Sequence, residues 1–205
     1  MREPDGISSV ASTSNVADLR AADLREMAIA GGDSARSAFS ALWAGYYRRL
    51  SVFASAYRGL AEADRHDAIA DALIAAFGAL PSYDPRRPLS PWVYRIAANR
   101  FSDAARRAAR VSVPVGADSP IAEAMDPPAP GDHAAESADR DLAERCRAAI
   151  ADLPELDRRI AMLRFYEGIN ASDIGQTLGM PAGTVRWRIS AIRASIRAAT
   201  GEDRP

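Results

Sequence analysis

The stretch NASDIGQTLGMPAGTVRWRISAIRASIR, residues 170–197, predicts two helices joined by a tight turn. Asn170 is a candidate N-cap, and Asp173 follows it by three residues, which is close to the spacing of a capping box. Gly179 is a candidate left-handed stop for the first helix, and Pro181 suits the first turn of the second. Together these signals indicate a helix-turn-helix, a motif whose second helix can enter a DNA major groove.

The second of these helices has a one-sided charge. Its apolar positions recur every three or four residues and are Val185, Ile189, Ile192 and Ile196. Its other faces carry Arg186, Arg188, Arg193 and Arg197. No acidic residue occurs from residue 181 to residue 200. A helix that is only solvated normally mixes both signs, so this pattern favours DNA binding over an ordinary helical hairpin.

The charges of the whole chain are also unevenly distributed. The 205 residues allow one domain or two small ones, and their net charge is −1. Residues 36–110 contain twelve arginines and six acids, whereas residues 111–139 contain six acids and no basic residue. This pattern indicates two binding units joined by an acidic tether. All basic residues are arginine, whose planar group suits phosphates and base edges, although a GC-rich genome would produce the same bias.

Several classes of protein are not expected. Cys146 is the only cysteine, so no intrachain disulfide can form, no zinc cluster is expected, and a reducing compartment fits. We find no dinucleotide or phosphate-binding loop and no paired nucleophile and base, so we expect no enzyme, metal or cofactor. No signal peptide and no apolar run of about 20 residues is recognised. We therefore expect a cytoplasmic protein.

Helical spacing of apolar residues elsewhere predicts an all-α protein with two small domains. In the N-terminal half, amphipathic helices are predicted over residues 34–58, 63–80 and 92–110. They would form a three-helix domain over residues 36–110. Residues 1–35 predict a partly disordered extension of unassigned function, with a weak helix over residues 16–30.

In the C-terminal half, helices over residues 140–151 and after Pro154 would join the helix-turn-helix in a four-helix domain over residues 140–199. Residues 111–139 are rich in proline, alanine and acids, which predicts a flexible linker. Fully extended, it would reach roughly 95 Å. Residues 200–205 would be a frayed tail.

The predicted N-terminal domain carries a basic loop, SYDPRRPLSPW, residues 82–92, with Ser90 as a candidate N-cap and Pro91 as the first residue of the following helix. Arginines of the loop and helix lie beside the aromatic residues Tyr83, Trp92 and Tyr94. A basic groove with aromatic platforms is suited to single-stranded nucleic acid, since every base has a face that can stack. The alternative is that Trp92 and Tyr94 are core residues.

The preceding helix carries Asp67 and Asp71 four residues apart. No nearby histidine, lysine or nucleophile supports acid–base chemistry at this pair. A solvated or partner-facing acidic face is the interpretation that the sequence favours.

Two segments together resemble bacterial RNA polymerase sigma factors of the extracytoplasmic-function type. LPELDRRIAMLRFYEGINASDIGQTLGMPAGTVRWRISAIR, residues 153–193, resembles region 4 of that family. ALPSYDPRRPLSPWVYRIAANRFSDAARR, residues 79–107, resembles the late part of region 2. The resemblance implies a protein that binds core RNA polymerase and promoter DNA. Region 4 would read the −35 element as duplex, region 2 would open the −10 element and capture a flipped base, and an anti-sigma factor would be a further partner.

The resemblance also implies which residues take part. Thr184, Arg186, Trp187 and Ser190 would lie at base edges of the −35 element, with Arg188 and Arg193 on phosphates. Arg86, Arg87, Trp92, Asn99, Arg106 and Arg107 would serve the −10 region, and Asp67 and Asp71 would bind polymerase. Trp187 stands where the family usually has a small polar residue, and it would either contact a thymine methyl or turn into the core. Ala70 and Ala191 also depart from the family pattern.

Two alternatives stay open from the residues alone. The first is a DNA-binding regulator that uses the helix-turn-helix without polymerase. The second is a helical adaptor, or a sigma-like protein whose DNA reading has decayed at Trp187 and Ala191. Stable binding to core polymerase would separate the first alternative from a sigma factor.

Overall fold

The computed structural model describes residues 20–111 and 135–201. Its elements there are all helical: α1 (Ala21–Ala30), α2 (Gly32–Ala54), α3 (Glu62–Ala79), α4 (Leu89–Val111), α5 (Ala135–Asp152), α6 (Glu155–Ala161), α7 (Ala171–Leu178) and α8 (Ala182–Thr200). A 3-10 turn over Leu80–Ser82 follows α3, and a π-helical turn over Met162–Tyr166 extends α6. The all-α prediction is thereby confirmed. Predictions for residues 1–19, 112–134 and 202–205 lie outside the described ranges.

The first bundle is built around aromatic side chains from α2, α4 and the turn after α2. Phe53, Tyr57 and Phe101 are fully buried, and Tyr57 and Phe101 meet edge to face at 5.5 Å between ring centroids. Ile69 and Leu73 of α3 complete this core. The apolar stripes read from the sequence therefore converge as expected, because side chains three or four residues apart share one helix face.

α1 packs on α2 and on the 3-10 turn after α3, outside this main core. The predicted boundary at residue 35 falls inside α2, so part of the predicted extension is continuous with the first bundle. Gly31 and Gly32 adopt φ values of 74° and 55°, which is the break expected between the two helices.

Two helix ends of the first bundle differ from the prediction by three or more residues. α2 stops at Ala54 and not at residue 58, because the chain turns and the next residues, including Tyr57, are buried in the core. α4 begins at Leu89, so Ser90 and Pro91 lie in its first turn and Ser90 is not the N-cap. The Ser90 hydroxyl instead lies 3.0 Å from the Tyr46 hydroxyl.

The second bundle contains the predicted helix-turn-helix. Asn170 caps α7 by accepting a hydrogen bond from the backbone N–H of Asp173 at 2.9 Å, and its amide donates to the Asp173 carboxylate at 2.8 Å. Gly179 is left-handed, with φ 69°, and ends α7. Both predictions are confirmed. Pro181 is the N-cap of α8, one position earlier than expected. Gly175 is also required, since a Cβ there would lie 2.5 Å from the carbonyl oxygen of Met180.

The two bundles pack against each other through α4 and α7. The Thr177 hydroxyl of α7 donates to the Pro91 carbonyl at the start of α4, at 3.4 Å. The Arg159 guanidinium lies 3.7 Å from the centroid of the Tyr57 ring. Within the described residues, no helix is long and apolar enough to cross a bilayer.

Candidate nucleic-acid interface

α8 exposes the face that was predicted to contact DNA. Val185, Ile189 and Ile192 are buried against the rest of the second bundle, which turns the intervening residues to solvent. Trp187 is 68% exposed, so the alternative in which it turns into the core is wrong. Thr184 and Arg186 are exposed near the N-terminus of the same helix. This is the end of a recognition helix that reaches base edges in the helix-turn-helix class.

The remaining members of the predicted −35 set have partners within the bundle. Ser190 donates its hydroxyl hydrogen to the Arg186 carbonyl at 3.2 Å. The Arg193 guanidinium lies 5.7 Å from the Phe165 ring centroid and stays exposed. Arg188 is different, because it is half-buried and donates to the Asp157 carboxylate at 2.6 Å. The phosphate contact expected at Arg188 stays a prediction, and it would require Arg188 to leave or share its ion pair with Asp157.

Of the predicted basic loop, the segment over residues 82–90, whose last two residues begin α4, is ordered by its own side chains. Asp84 accepts hydrogen bonds from the backbone N–H of Arg86 at 3.1 Å and from the Arg86 guanidinium at 2.9 and 3.0 Å. The Arg86 side chain, with help from its backbone N–H, lowers the pKa of Asp84 to about 2. Arg86 and Arg87 are both exposed, so the loop presents two guanidinium groups at its surface, one of them paired with Asp84.

The aromatic platforms expected beside this loop are only partly available. Tyr94 is fully buried and Tyr83 is 3% exposed, so both are core residues and the prediction of stacking there is wrong. Burial raises the pKa of both phenols. Trp92 is half-buried, with its ring centroid 5.0 Å from that of Tyr83. One aromatic of the three thus retains an accessible surface.

α4 separates the other predicted −10 residues onto two surfaces. Asn99 is exposed, but with Arg95 it lines a cleft whose opposite wall is formed by Gln176 and Leu178 of α7. The second bundle therefore lies over the face of α4 that was expected to contact DNA.

Arg106 and Arg107 diverge although they are adjacent. Arg106 forms an ion pair with Asp103 on its own helix. Arg107 lines a shallow depression together with Asp67 and Asp71 of α3. The two aspartates are exposed, as a partner-facing acidic surface requires. Arg107 is thus part of the predicted polymerase surface and lies apart from Asn99.

The sequence did not reveal the ion pair that joins the bundles. The Arg49 guanidinium of α2 donates both Nε, at 3.2 Å, and Nη2 to the two carboxylate oxygens of Glu167. Burial opposes the charge of Arg49, but the hydrogen bond and charge of Glu167 outweigh it, so the pKa of Arg49 is raised. The Glu167 side chain is 8% exposed. Glu167 follows the π-helical turn in the structure. The motif LRFYEG, to which it belongs, was the only sequence signal for this residue.

Two family models match the two bundles. The model of Sigma-70 region 2 matches residues 42–111, and that of Sigma-70 region 4 matches residues 149–198. The arrangement defines a helical transcription factor with a region 2 module and a region 4 module.

Similar proteins were also found among sigma factors of several bacteria. The RNA polymerase sigma factor NccH of Alcaligenes xylosoxydans xylosoxydans is 30% identical over 78% of this chain and 86% of that relative. SigW of Bacillus subtilis is 28% identical, and the match covers 71% of this chain and 81% of SigW. For ShbA of Streptomyces griseus the identity is 34%, and the match spans 58% of this chain and 63% of that relative.

Two solved structures share the fold. CnrH in complex with the cytosolic domain of CnrY has a TM-score of 0.57 and 24% identity, covering 90% of this chain and 99% of that one. Sigma factor RpoE in complex with the anti-sigma factor NepR from Bartonella quintana has a TM-score of 0.56 and 20% identity, covering 76% and 91%. The chain belongs to the RNA polymerase sigma factors of the extracytoplasmic-function type. It acts in promoter-specific transcription initiation through RNA polymerase.

Proposed function

We propose that the second bundle reads the −35 element as duplex and that the first bundle opens the −10 element and captures a base from it. The observation that carries this proposal is the N-terminal end of α8, where Arg186 and Trp187 are exposed above a buried apolar stripe. An arginine there can donate two hydrogen bonds to one guanine, which is worth about 1–3 kcal/mol of discrimination.

The first bundle carries the residues that would bind the −10 element and core polymerase. Arg86 and Arg87 bring positive charge to the loop, and Trp92 offers an accessible aromatic surface at its end. Stacking on an aromatic side chain and a nearby basic groove favour unpaired strands. Asn99 would contact a base near the position where the DNA duplex opens, and Arg106 would contact the DNA backbone. Asp67 and Asp71 would bind core polymerase.

DNA binding by the first bundle requires that the two bundles separate. α7 forms the opposite wall of the cleft that Arg95 and Asn99 line, so a strand bound on that face of α4 would collide with α7. We therefore propose a closed free protein and an open protein on the promoter. Because the structural relatives were solved with CnrY and with the anti-sigma factor NepR, we also propose an anti-sigma factor that holds the closed arrangement. The protein would act in the cytoplasm, by binding and without catalysis of its own.

The test combines the purified full-length protein with core RNA polymerase and sequences the transcripts that start on fragmented genomic DNA from its host. We expect discrete start sites that share two upstream elements. Arg186→Ala should abolish most of these starts, whereas Arg36→Ala should not, because Arg36 is an exposed arginine of α2 paired with Asp33. No binding to core polymerase would refute the proposal and leave a DNA-binding regulator.

A further inference from the structure

α1 lies outside the residues that the region 2 model matches, and it packs beside the start of the basic loop. Leu24, the buried residue of α1, is 5% exposed. It belongs to a small apolar cluster, distinct from the main core, whose other buried members are Ala38, Ala41, Leu80 and Tyr83. The apolar side of α1 is therefore joined to the turn that leads into the loop.

A polar contact reinforces this packing at the next residue of α1. The Arg25 guanidinium donates through Nε to the carbonyl oxygen of Pro81 at 3.0 Å. A hydrogen bond from an ionised donor is stronger than a neutral one, and a carbonyl fixes its direction. Pro81 immediately precedes the loop over residues 82–90. Leu24 and Arg25 of α1 thus contact the same turn, Leu24 at the apolar side chains of the turn and Arg25 at the backbone of the turn.

Tyr83 carries the contact with α1 into the loop. Its backbone N–H donates to the Leu80 carbonyl at 3.1 Å, which closes the turn. Its hydroxyl donates to the carbonyl of Arg87 near the far end of the loop. Its ring lies 5.0 Å from that of Trp92, centroid to centroid. Tyr83 therefore links the apolar cluster that includes Leu24 of α1 to both ends of the loop and to its accessible aromatic residue.

We propose that α1 is a positioning element for this loop: Leu24 and Arg25 hold residues 82–90 in the conformation that receives a base flipped out of the −10 element. The inference rests on the proposed function of the first bundle. Since the contact is made at the loop, its loss should weaken capture of the unpaired strand. Binding to core polymerase and reading of the −35 duplex use Asp67, Asp71 and α8, and they should be unchanged.

The experiment uses the full-length protein assembled with core polymerase and a promoter identified from the transcripts described above. Fluorescence anisotropy measures the affinity for a labelled single strand that carries the non-template −10 element. Arg25→Met removes the donor but keeps the stem, and we expect up to about tenfold weaker strand binding, which is the upper end of what a single hydrogen bond contributes. Arg25→Lys retains a donor and should stay within about threefold of wild type. Leu24→Ala should weaken strand binding in the same direction.

The matched control is Arg20→Met, because Arg20 is exposed and pairs with Asp23 in place of contacting the loop. Core affinity, −35 duplex affinity and the melting temperature are measured for every variant. A wild-type complex that does not bind the −10 strand would refute the proposed function, and this inference with it. Wild-type binding with no loss in Arg25→Met, or losses of core affinity and melting temperature that parallel the loss of strand binding, would overturn the positioning role alone.

Discussion

Breaking the ion pair between Arg49 and Glu167 should open the two bundles. The pair joins α2 to the segment after α6, and it is bidentate, with one donor distance of 3.2 Å. Glu167→Gln removes the charge and replaces one acceptor by an amide N–H that faces the guanidinium. The Arg49 side chain would then remain 40% exposed, so water can solvate it in part.

The size of the effect follows from this burial. A hydrogen bond to a charged group contributes about 1.5–3 kcal/mol when buried, whereas exposed ion pairs contribute about 0–1 kcal/mol. With one nearly buried and one partly exposed partner, we expect a loss of about 1–2 kcal/mol in bundle docking. That loss lowers the closed-to-open ratio roughly 5–30-fold. In a double-mutant cycle, Arg49→Gln and Glu167→Gln should show a coupling energy of the same size.

Energy transfer between two fluorophores measures the ratio directly. Exposed positions in the two bundles, Ala44→Cys and Ala194→Cys in a Cys146→Ser background, accept the labels. Glu167→Gln should increase the population with large separation. Asp157→Asn is the control, because it breaks a half-buried ion pair with Arg188 inside the second bundle. An unchanged distance distribution in Glu167→Gln, or an equal change in Asp157→Asn, would show that the ion pair does not hold the bundles together.

Three further predictions concern single side chains. Trp187→Ala should change the free energy of unfolding by less than about 0.5 kcal/mol, because the ring is exposed, but should weaken binding to the −35 duplex; a large stability loss would contradict the exposed placement. Asn170→Ala should lower the free energy of unfolding by about 1 kcal/mol through loss of the α7 cap, measured by urea denaturation. Burial raises the pKa of Tyr57 from 10.0 to about 12, so the unfolded state loses its proton first and stability should fall as pH rises from about 10 to 12. Tyr57→Phe should remove that part of the alkaline loss.

Local signals predicted the helices well. The cap at Asn170 and the stop at Gly179 appear where the sequence places them, because each depends on residues three to five positions apart. Helix ends that depend on distant partners were less accurate. Ser90 has the residue type of an N-cap, yet its hydroxyl meets Tyr46, and α4 begins at Leu89, three residues before the predicted start.

The predicted DNA-contacting residues also fall into two groups: those whose exposure follows from local helix period and those whose environment depends on distant partners. Arg186 and Trp187 are exposed because the period of α8 turns them away from Val185 and Ile189, and that period is visible in the sequence. Tyr83 was expected to be an open platform, but it is buried in an apolar cluster to which α1 and α2 both contribute, and no residue of its own segment indicates that burial. Arg188 was expected on a phosphate, but Asp157, 31 residues earlier, engages it.

The sequence by itself determined the helical class, the two modules, the recognition helix and the family resemblance. Each of these depends on the spacing of apolar residues, on helix caps or on motifs, all of which lie within short stretches of the chain. Only the tertiary structure decided which surfaces meet. Arg49 and Glu167 are 118 residues apart, and Thr177 and Pro91 are 86 apart. Contacts at such separations depend on the shapes of both packed bundles, which no short window of sequence contains.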